Sequence, residues 1–296
     1  MEWRGVIPAI TTKFNDDLTI DHAFIAEHVK WQVDCGCTGI MALGSLGEGA
    51  TLSYDEKIAI LKTCVDTVAG RVPVVAGISA LSTGESVQLA KDAEKVGCKG
   101  LMVLPAYVYK GDWRETRAHF EAVFQATPLS CMLYNNPVAY IVDVLPEQVA
   151  ELAERNPNLH SIKESSTDVR RVTAIRHLVG DRLAIFVGVD DVIVEALRAG
   201  AVGWIAGLVN AFPKESVDLF NLCMAGRFDE ADVLYKWFLP LLKLDVVPKF
   251  VQLIKLTQQE VGMGTERVRP PRLELVGDER EAALAVIRTG IANRPA

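Results

Sequence analysis

A chain of 296 residues, half of them hydrophobic and 23% charged, holds enough apolar material for one large core or two smaller ones. Its formal net charge of −7 argues against a nucleic-acid or anionic-membrane partner, and no local run of lysine and arginine reverses that balance. The opening MEWRGVIPAI lacks the pattern of a secretion signal, and no segment approaches the ~20 apolar residues of a bilayer span. A cytoplasmic protein is expected. Its six cysteines form no CxxC pair or regular framework, which suits reduced, mostly buried thiols. Five scattered histidines give no clustered ligand set, so no metal is expected.

In chain order, GVIPAI (5–10) is the first of eight short apolar runs. The amphipathic TIDHAFIAEHVKWQV follows, then GIMALG (39–44), then SYDEKIAILKTCVDTVA, in which Ser53 and Glu56 have capping-box spacing. The later runs are VPVVAGI (72–78), GLMVLP (100–105), LSCMLYN (129–135), LHSIKES (159–165), LAIFVG (183–188) and GWIAGL (203–208). Their near-continuous apolarity is that of strands buried on both faces. Asp168 and Asp190 are further candidate helix caps.

One internal echo organises these runs. CGCTGIMALG, VGCKGLMVLP and AGAVGWIAGL share a helix end, a glycine, two residues, a second glycine and a buried run. Gly36, Gly97 and Gly200 suit the left-handed position that ends a helix, and Gly39, Gly100 and Gly203 open the next strands. A recurring joint of this kind implies parallel strands with crossover helices. Eight such units predict an α/β protein, a (β/α)8 TIM barrel, over residues 1–226. A doubly wound open sheet is the alternative, but its GxGxxG fingerprint is missing. Beyond the barrel, residues 228–243, 248–263 and 279–292 read as three helices, giving a C-terminal helical domain over 227–296.

Reactive side chains of a barrel gather at the C-terminal ends of its strands. There the sequence offers GSLGEG (44–49), LPAYVYK (104–110), LYNNP (133–137) and IKESS (162–166). Lys163 and Lys13 are the lysines placed at or just beyond such an end, and Lys163 is the better buried of the two. A desolvated lysine becomes a neutral amine able to attack a carbonyl or imine carbon. Adjacent strand residues face opposite ways, so Glu164 is a poor ion-pair partner for Lys163. Tyr134 and Tyr107 end neighbouring strands, where a phenol can move protons beside an imine. The glycines of GSLGEG let backbone N–H groups face a small anion, with the Ser45 hydroxyl as a further donor; a simple turn is the plainer reading. The loops after strands seven and eight, GVDDV and GLVNAF, lack glycine-rich amides for phosphate, so an unphosphorylated carboxylate fits better.

Together GVIPAITTKF, GSLGE, GLMVLPAYVYK, YNNP and IKESS resemble the dihydrodipicolinate synthase and N-acetylneuraminate lyase family, from Gly5 to the last helix. The resemblance implies a (β/α)8 barrel with a C-terminal three-helix domain, a homotetramer built as a dimer of dimers, and 2-oxo acid chemistry without a cofactor. It makes Lys163 the residue that carries the covalent imine and Tyr134 the proton shuttle, with Tyr107 as a further catalytic tyrosine. Ser45, with the backbone N–H groups of Ser45 and Leu46, would hold the substrate carboxylate, and Gly44, Ile205 and Tyr140 complete the substrate-binding set.

Two positions depart from the synthases. These carry a second hydroxyl residue in a proton relay where this chain has Leu46, and an arginine for the carboxylate of aspartate semialdehyde where it has Ala139. Lyases acting on sialic acid share the hydroxyl pair that Leu46 breaks. The combination that runs from GLMVLPAYVYK through YNNPVAYIVD and IKESS to GWIAGLVNAFPKE is most similar to a branch of hydroxyproline breakdown. That branch includes a 1-pyrroline-4-hydroxy-2-carboxylate deaminase. A pyruvate-releasing aldolase for a 4-hydroxy-2-oxo acid, a divergent synthase and a non-catalytic 2-oxo acid sensor are the alternatives.

Overall fold

The computed structural model describes residues 1–107 and 109–295. Each of the eight apolar runs contains one strand: β1 (Gly5–Pro8), β2 (Ile40–Ala42), β3 (Val74–Ile78), β4 (Gly100–Val103), β5 (Ser130–Asn135), β6 (Leu159–Glu164), β7 (Ala184–Val187) and β8 (Gly203–Ala206). All pair in parallel, in the order β1-β8-β7-β6-β5-β4-β3-β2. A single bridge between Ala9 and Met41 brings the two ends together, and the Ile10 amide donates to the Met41 carbonyl at 2.9 Å. The result is the (β/α)8 barrel expected from the repeated joint.

Crossover helices wrap this barrel: α1 (His22–Asp34), α2 (Tyr54–Val68), α3 (Thr83–Val96), α4 (Trp113–Phe124), the single turn α5 (Pro137–Tyr140), α6 (Pro146–Arg155), α7 (Arg170–Val179), α8 (Ile193–Arg198) and α9 (Pro213–Met224). Local chemistry sets their ends. The Glu56 amide donates to Ser53 Oγ at 3.2 Å and the Ser53 amide to Glu56 Oε2 at 2.8 Å, so the capping box opens α2 as its spacing predicts. Gly36, Gly97 and Gly200 take φ of 99°, 108° and 105°, the left-handed geometry that frees each chain to turn into its strand.

Asp168 and Asp190 behave otherwise. Asp168 lies one residue before the Val169 cap of α7, and its carboxylate accepts from the Arg170 amide at 3.1 Å. Asp190 caps no helix. Its fully buried carboxylate accepts from Trp204 Nε1 at 2.9 Å, the Gly207 amide at 3.1 Å and the Leu208 amide at 2.8 Å. Donors at the end of β8 outcompete the local helix terminus, and only the closed sheet brings them within reach.

After α9 come α10 (Phe228–Leu242), α11 (Phe250–Glu260) and α12 (Gly277–Ala292), the three helices read from the sequence. Aromatic side chains join this layer to α9: Phe212 meets Trp237 and Phe238 edge-on, each at 5.9 Å between ring centroids. Trp237 Nε1 also donates to the Gly290 carbonyl of α12 at 2.9 Å. No described helix is long and apolar enough to cross a membrane.

Candidate active site

Register decides which side chains share the barrel mouth. Tyr134 of β5 and Lys163 of β6 are paired partners on adjacent parallel strands, so both point to the same face. Their successors Asn135 and Glu164 are also paired and both point the other way. There Asn135 Nδ2 donates to Glu164 Oε2 at 3.0 Å and the Ser166 amide to Glu164 Oε1 at 2.6 Å. Glu164 thus has its own partners on the outer face of the strand. Lys163 instead lays its Nζ 4.4 Å from the centre of the Tyr134 ring.

Gly188 after β7 makes room for the lysine: a Cβ there would lie 2.2 Å from Lys163 Cε. Burial pushes the Lys163 amine down to about 8, against the upward pull of Asp245 and Asp190. An amine lowered in this way is neutral at pH 7 far more often than an ordinary lysine. Burial also pushes the Tyr134 phenol up to about 12, moderated by Asn136 Nδ2, which donates to its oxygen at 3.0 Å. A neutral phenol beside a partly neutral amine can give and retake a proton next to an imine.

Lys13, the rival lysine, is committed elsewhere. It pairs with Asp21 at 3.1 Å and lies over the Phe24 ring at 4.6 Å.

A cavity of about 430 Å³ opens over Lys163. Gly44, Ser45, Leu46, Tyr134, Tyr140 and Ile205 line it, as does Ala139. Tyr107 is not part of that lining: its ring stands 5.9 Å from Tyr140, which in turn lies 5.8 Å from Tyr134. The two tyrosines expected to converge on Lys163 are therefore separated by a third. Tyr140 Oη shares a hydrogen bond with Ser45 Oγ, linking the tyrosine row to the GSLGEG loop. The backbone amides of Ser45 and Leu46 donate to no described backbone acceptor, which leaves them available to an anion.

Behind this loop, Glu48 takes a left-handed φ of 56° and is fully buried. Lys255 Nζ of α11 donates to its Oε1 at 2.7 Å and to the Thr12 carbonyl at 2.8 Å, while the Arg269 amide donates to its Oε2 at 3.0 Å. The helical layer thus grips the GSLGEG loop from beneath.

Three groups escaped the reading of the sequence. Lys255 sits mid-helix, and nothing local marks it as buried. Asp245, between α10 and α11, lines the cavity, and its Oδ1 is sealed from solvent with no hydrogen-bond partner among the described residues. Arg272, from the segment before α12, lines the same cavity and forms no ion pair with a described residue. The strand-end rule does not reach groups supplied by a C-terminal layer.

Comparison with known proteins places this geometry. The model of the dihydrodipicolinate synthetase family matches residues 2–289. A 4-hydroxy-tetrahydrodipicolinate synthase of Agrobacterium fabrum is 30% identical over 293 residues, which cover 98% of this chain and 100% of the relative. The one from Bartonella quintana is 31% identical over 273 residues, 92% of either chain. Among solved structures, a dihydrodipicolinate synthase from Bacillus anthracis superposes with a TM-score of 0.94 at 29% identity, over 100% of both chains. Matched along nearly its whole length in sequence and in fold, the chain belongs to the dihydrodipicolinate synthetase family and is an enzyme of its lysine Schiff-base class.

Proposed function

We propose that this enzyme is a deaminase acting on 1-pyrroline-4-hydroxy-2-carboxylate in hydroxyproline breakdown, working in the cytoplasm with no cofactor beyond the imine on Lys163. The observation that carries the reading is the buried Lys163 amine laid against Tyr134 in a cavity that Gly44, Ser45 and Leu46 also line. Ser45 Oγ and the Ser45 and Leu46 amides hold the substrate carboxylate. Lys163 attacks C2 of the cyclic imine, and ring opening leaves the Lys163 imine with a free amine on C5. Tyr134 takes the C3 proton, and the 4-hydroxyl leaves as water. Tautomerisation carries the double bond to C5 as an imine, and hydrolysis of both imines releases ammonia and 2,5-dioxopentanoate. Overall one water is consumed.

Leu46 and Ala139, both in the cavity wall, support this reading over a synthase. The relatives compared above are nevertheless named as synthases. The second reading rests on Arg272, whose guanidinium in the same wall suits a second substrate carboxylate. It gives an aldolase that cleaves a dicarboxylic 4-hydroxy-2-oxo acid to pyruvate, or a divergent synthase. The experiment scores ammonia and pyruvate separately from the pyrroline and from 4-hydroxy-2-oxo acids. Ammonia with 2,5-dioxopentanoate and no matching pyruvate supports the deaminase; pyruvate alone, with the pyrroline untouched, replaces it by the aldolase. A homotetramer belongs to the same proposal, though one solved relative of TM-score 0.90 is described as a monomeric variant. Sedimentation at micromolar protein decides between the two assemblies.

A further inference from the structure

Two carboxylates lie close to Lys163, and the protein treats them differently. Asp190 accepts from Trp204 Nε1, the Gly207 amide and the Leu208 amide, so its charge is spent on holding the end of β8. Asp245 has no such set. Its Oδ1 is sealed from solvent without a hydrogen-bond partner among the described residues, although a buried acceptor left unpaired is costly. Space has nonetheless been kept for it. Gly207 faces the carboxylate, and a Cβ at that position would lie 1.9 Å from Asp245 Oδ1. Asp245 also opens a stretch, with Val246, Val247, Pro248 and Phe250, that walls the cavity from the side of the helical layer. Oδ1 packs toward Gly207, while Oδ2 is not sealed and accepts from no described donor, so this second oxygen is left at the cavity wall for a donor from the ligand.

We infer that Asp245 is a substrate-binding residue that receives an amine or hydroxyl carried on the distal carbons of the substrate, and so selects 2-oxo acids and cyclic imines bearing such a donor. This rests on the deaminase reading for the identity of that donor: ring opening frees an amine on C5, one end of a short chain whose other end is the carboxylate at Ser45. Burial and the neighbouring Asp190 both raise the proton affinity of Asp245, while Lys163 opposes them, so Asp245 holds a proton more readily than an ordinary carboxylate and a cationic donor favours its charged form. The other ionisable groups beside it are Asp190, Asp191 and Lys163. None is a dedicated hydrogen-bond donor to Asp245.

Two probes of equal chain length isolate the contact. 1-Pyrroline-2-carboxylate opens on Lys163 to an imine with a free C5 amine, whereas 2-oxopentanoate gives the same imine without it. Neither has a 4-hydroxyl to lose, so neither proceeds to deamination. Half-saturation of the Lys163 adduct, read by intact-protein mass after a hydride quench, is compared in the natural protein, Asp245→Ala and Asp245→Asn. The preference for the amine-bearing probe should fall by about 10- to 100-fold in Asp245→Ala and less in Asp245→Asn, with 2-oxopentanoate shifted by no more than about twofold. Pyruvate, which carries no distal amine or hydroxyl, should still form its adduct in both variants and so reports an intact site. An unchanged preference overturns the inference. So does an equal weakening of both probes, or loss of the pyruvate adduct in both variants, because Asp245 would then act through Lys163. Selectivity lost in the variants while the natural enzyme releases no ammonia from the hydroxylated pyrroline would sink the deaminase and leave this contact standing.

Discussion

At the scale of single residues, the site depends on one pair. On the proposed mechanism Lys163 supplies the amine and Tyr134 the proton transfer, and their register on β5 and β6 makes them neighbours by construction. Tyr134→Phe deletes a transfer generally worth about 10²–10⁴-fold, so turnover should fall by that order while hydride trapping of the Lys163 imine persists in part. Equal loss of trapping and turnover would show that Tyr134 positions the lysine instead of moving protons. Ala139 and Leu46 lead to a second expectation. Condensation of pyruvate with aspartate semialdehyde should be slow or undetectable, since the missing charge-assisted contact alone forfeits about 1.5–3 kcal/mol. Turnover at the level of a true synthase, measured side by side, would mean another group, Arg272 foremost, replaces the absent arginine. The lysine, the tyrosine and the serine were legible in the sequence because each sits at a strand end. The position of Tyr107 was not legible: the Tyr140 ring of α5 stands between it and Tyr134, an arrangement that only the folded chain brings about.

At the scale of elements, the helical layer completes the barrel. The buried Lys255–Glu48 pair couples α11 to the turn that presents Ser45 and Leu46. Removing one partner strands a charge where water cannot reach it. Lys255→Ala should therefore cost about 3–5 kcal/mol, read as a lower unfolding midpoint in urea, and should weaken binding of 2-oxo acids. The double change Lys255→Met with Glu48→Gln should recover much of the stability. Equal losses in single and double variants would show that packing, not the stranded charge, sets the cost. The joints at Gly36, Gly97 and Gly200 could be read in advance because helix ends and strand starts are local. Asp190 could not: its three donors lie at residues 204–208 and meet it only after β7 and β8 pair.

At the scale of the whole molecule, strand ends alone furnish an amine, a phenol and the Ser45–Leu46 turn, while the layer after α9 furnishes Asp245, Arg272 and the support beneath Glu48. The barrel was legible because its apolar runs repeat, and the three later helices because strand patterning stops. How that layer contributes to the cavity was not legible, since it depends on tertiary docking between distant segments. The central claim is that chemistry begins with a covalent imine on Lys163, and borohydride trapping with peptide mapping tests it most directly. With pyruvate bound, the adduct should map to Lys163 and vanish in Lys163→Ala. Because only the neutral amine attacks, its rate of formation should climb as pH rises through about 8, the point to which burial lowers this lysine. An adduct of the same mass that survives Lys163→Ala and maps to Lys13, or a rate that stays flat across that interval, would contradict the account.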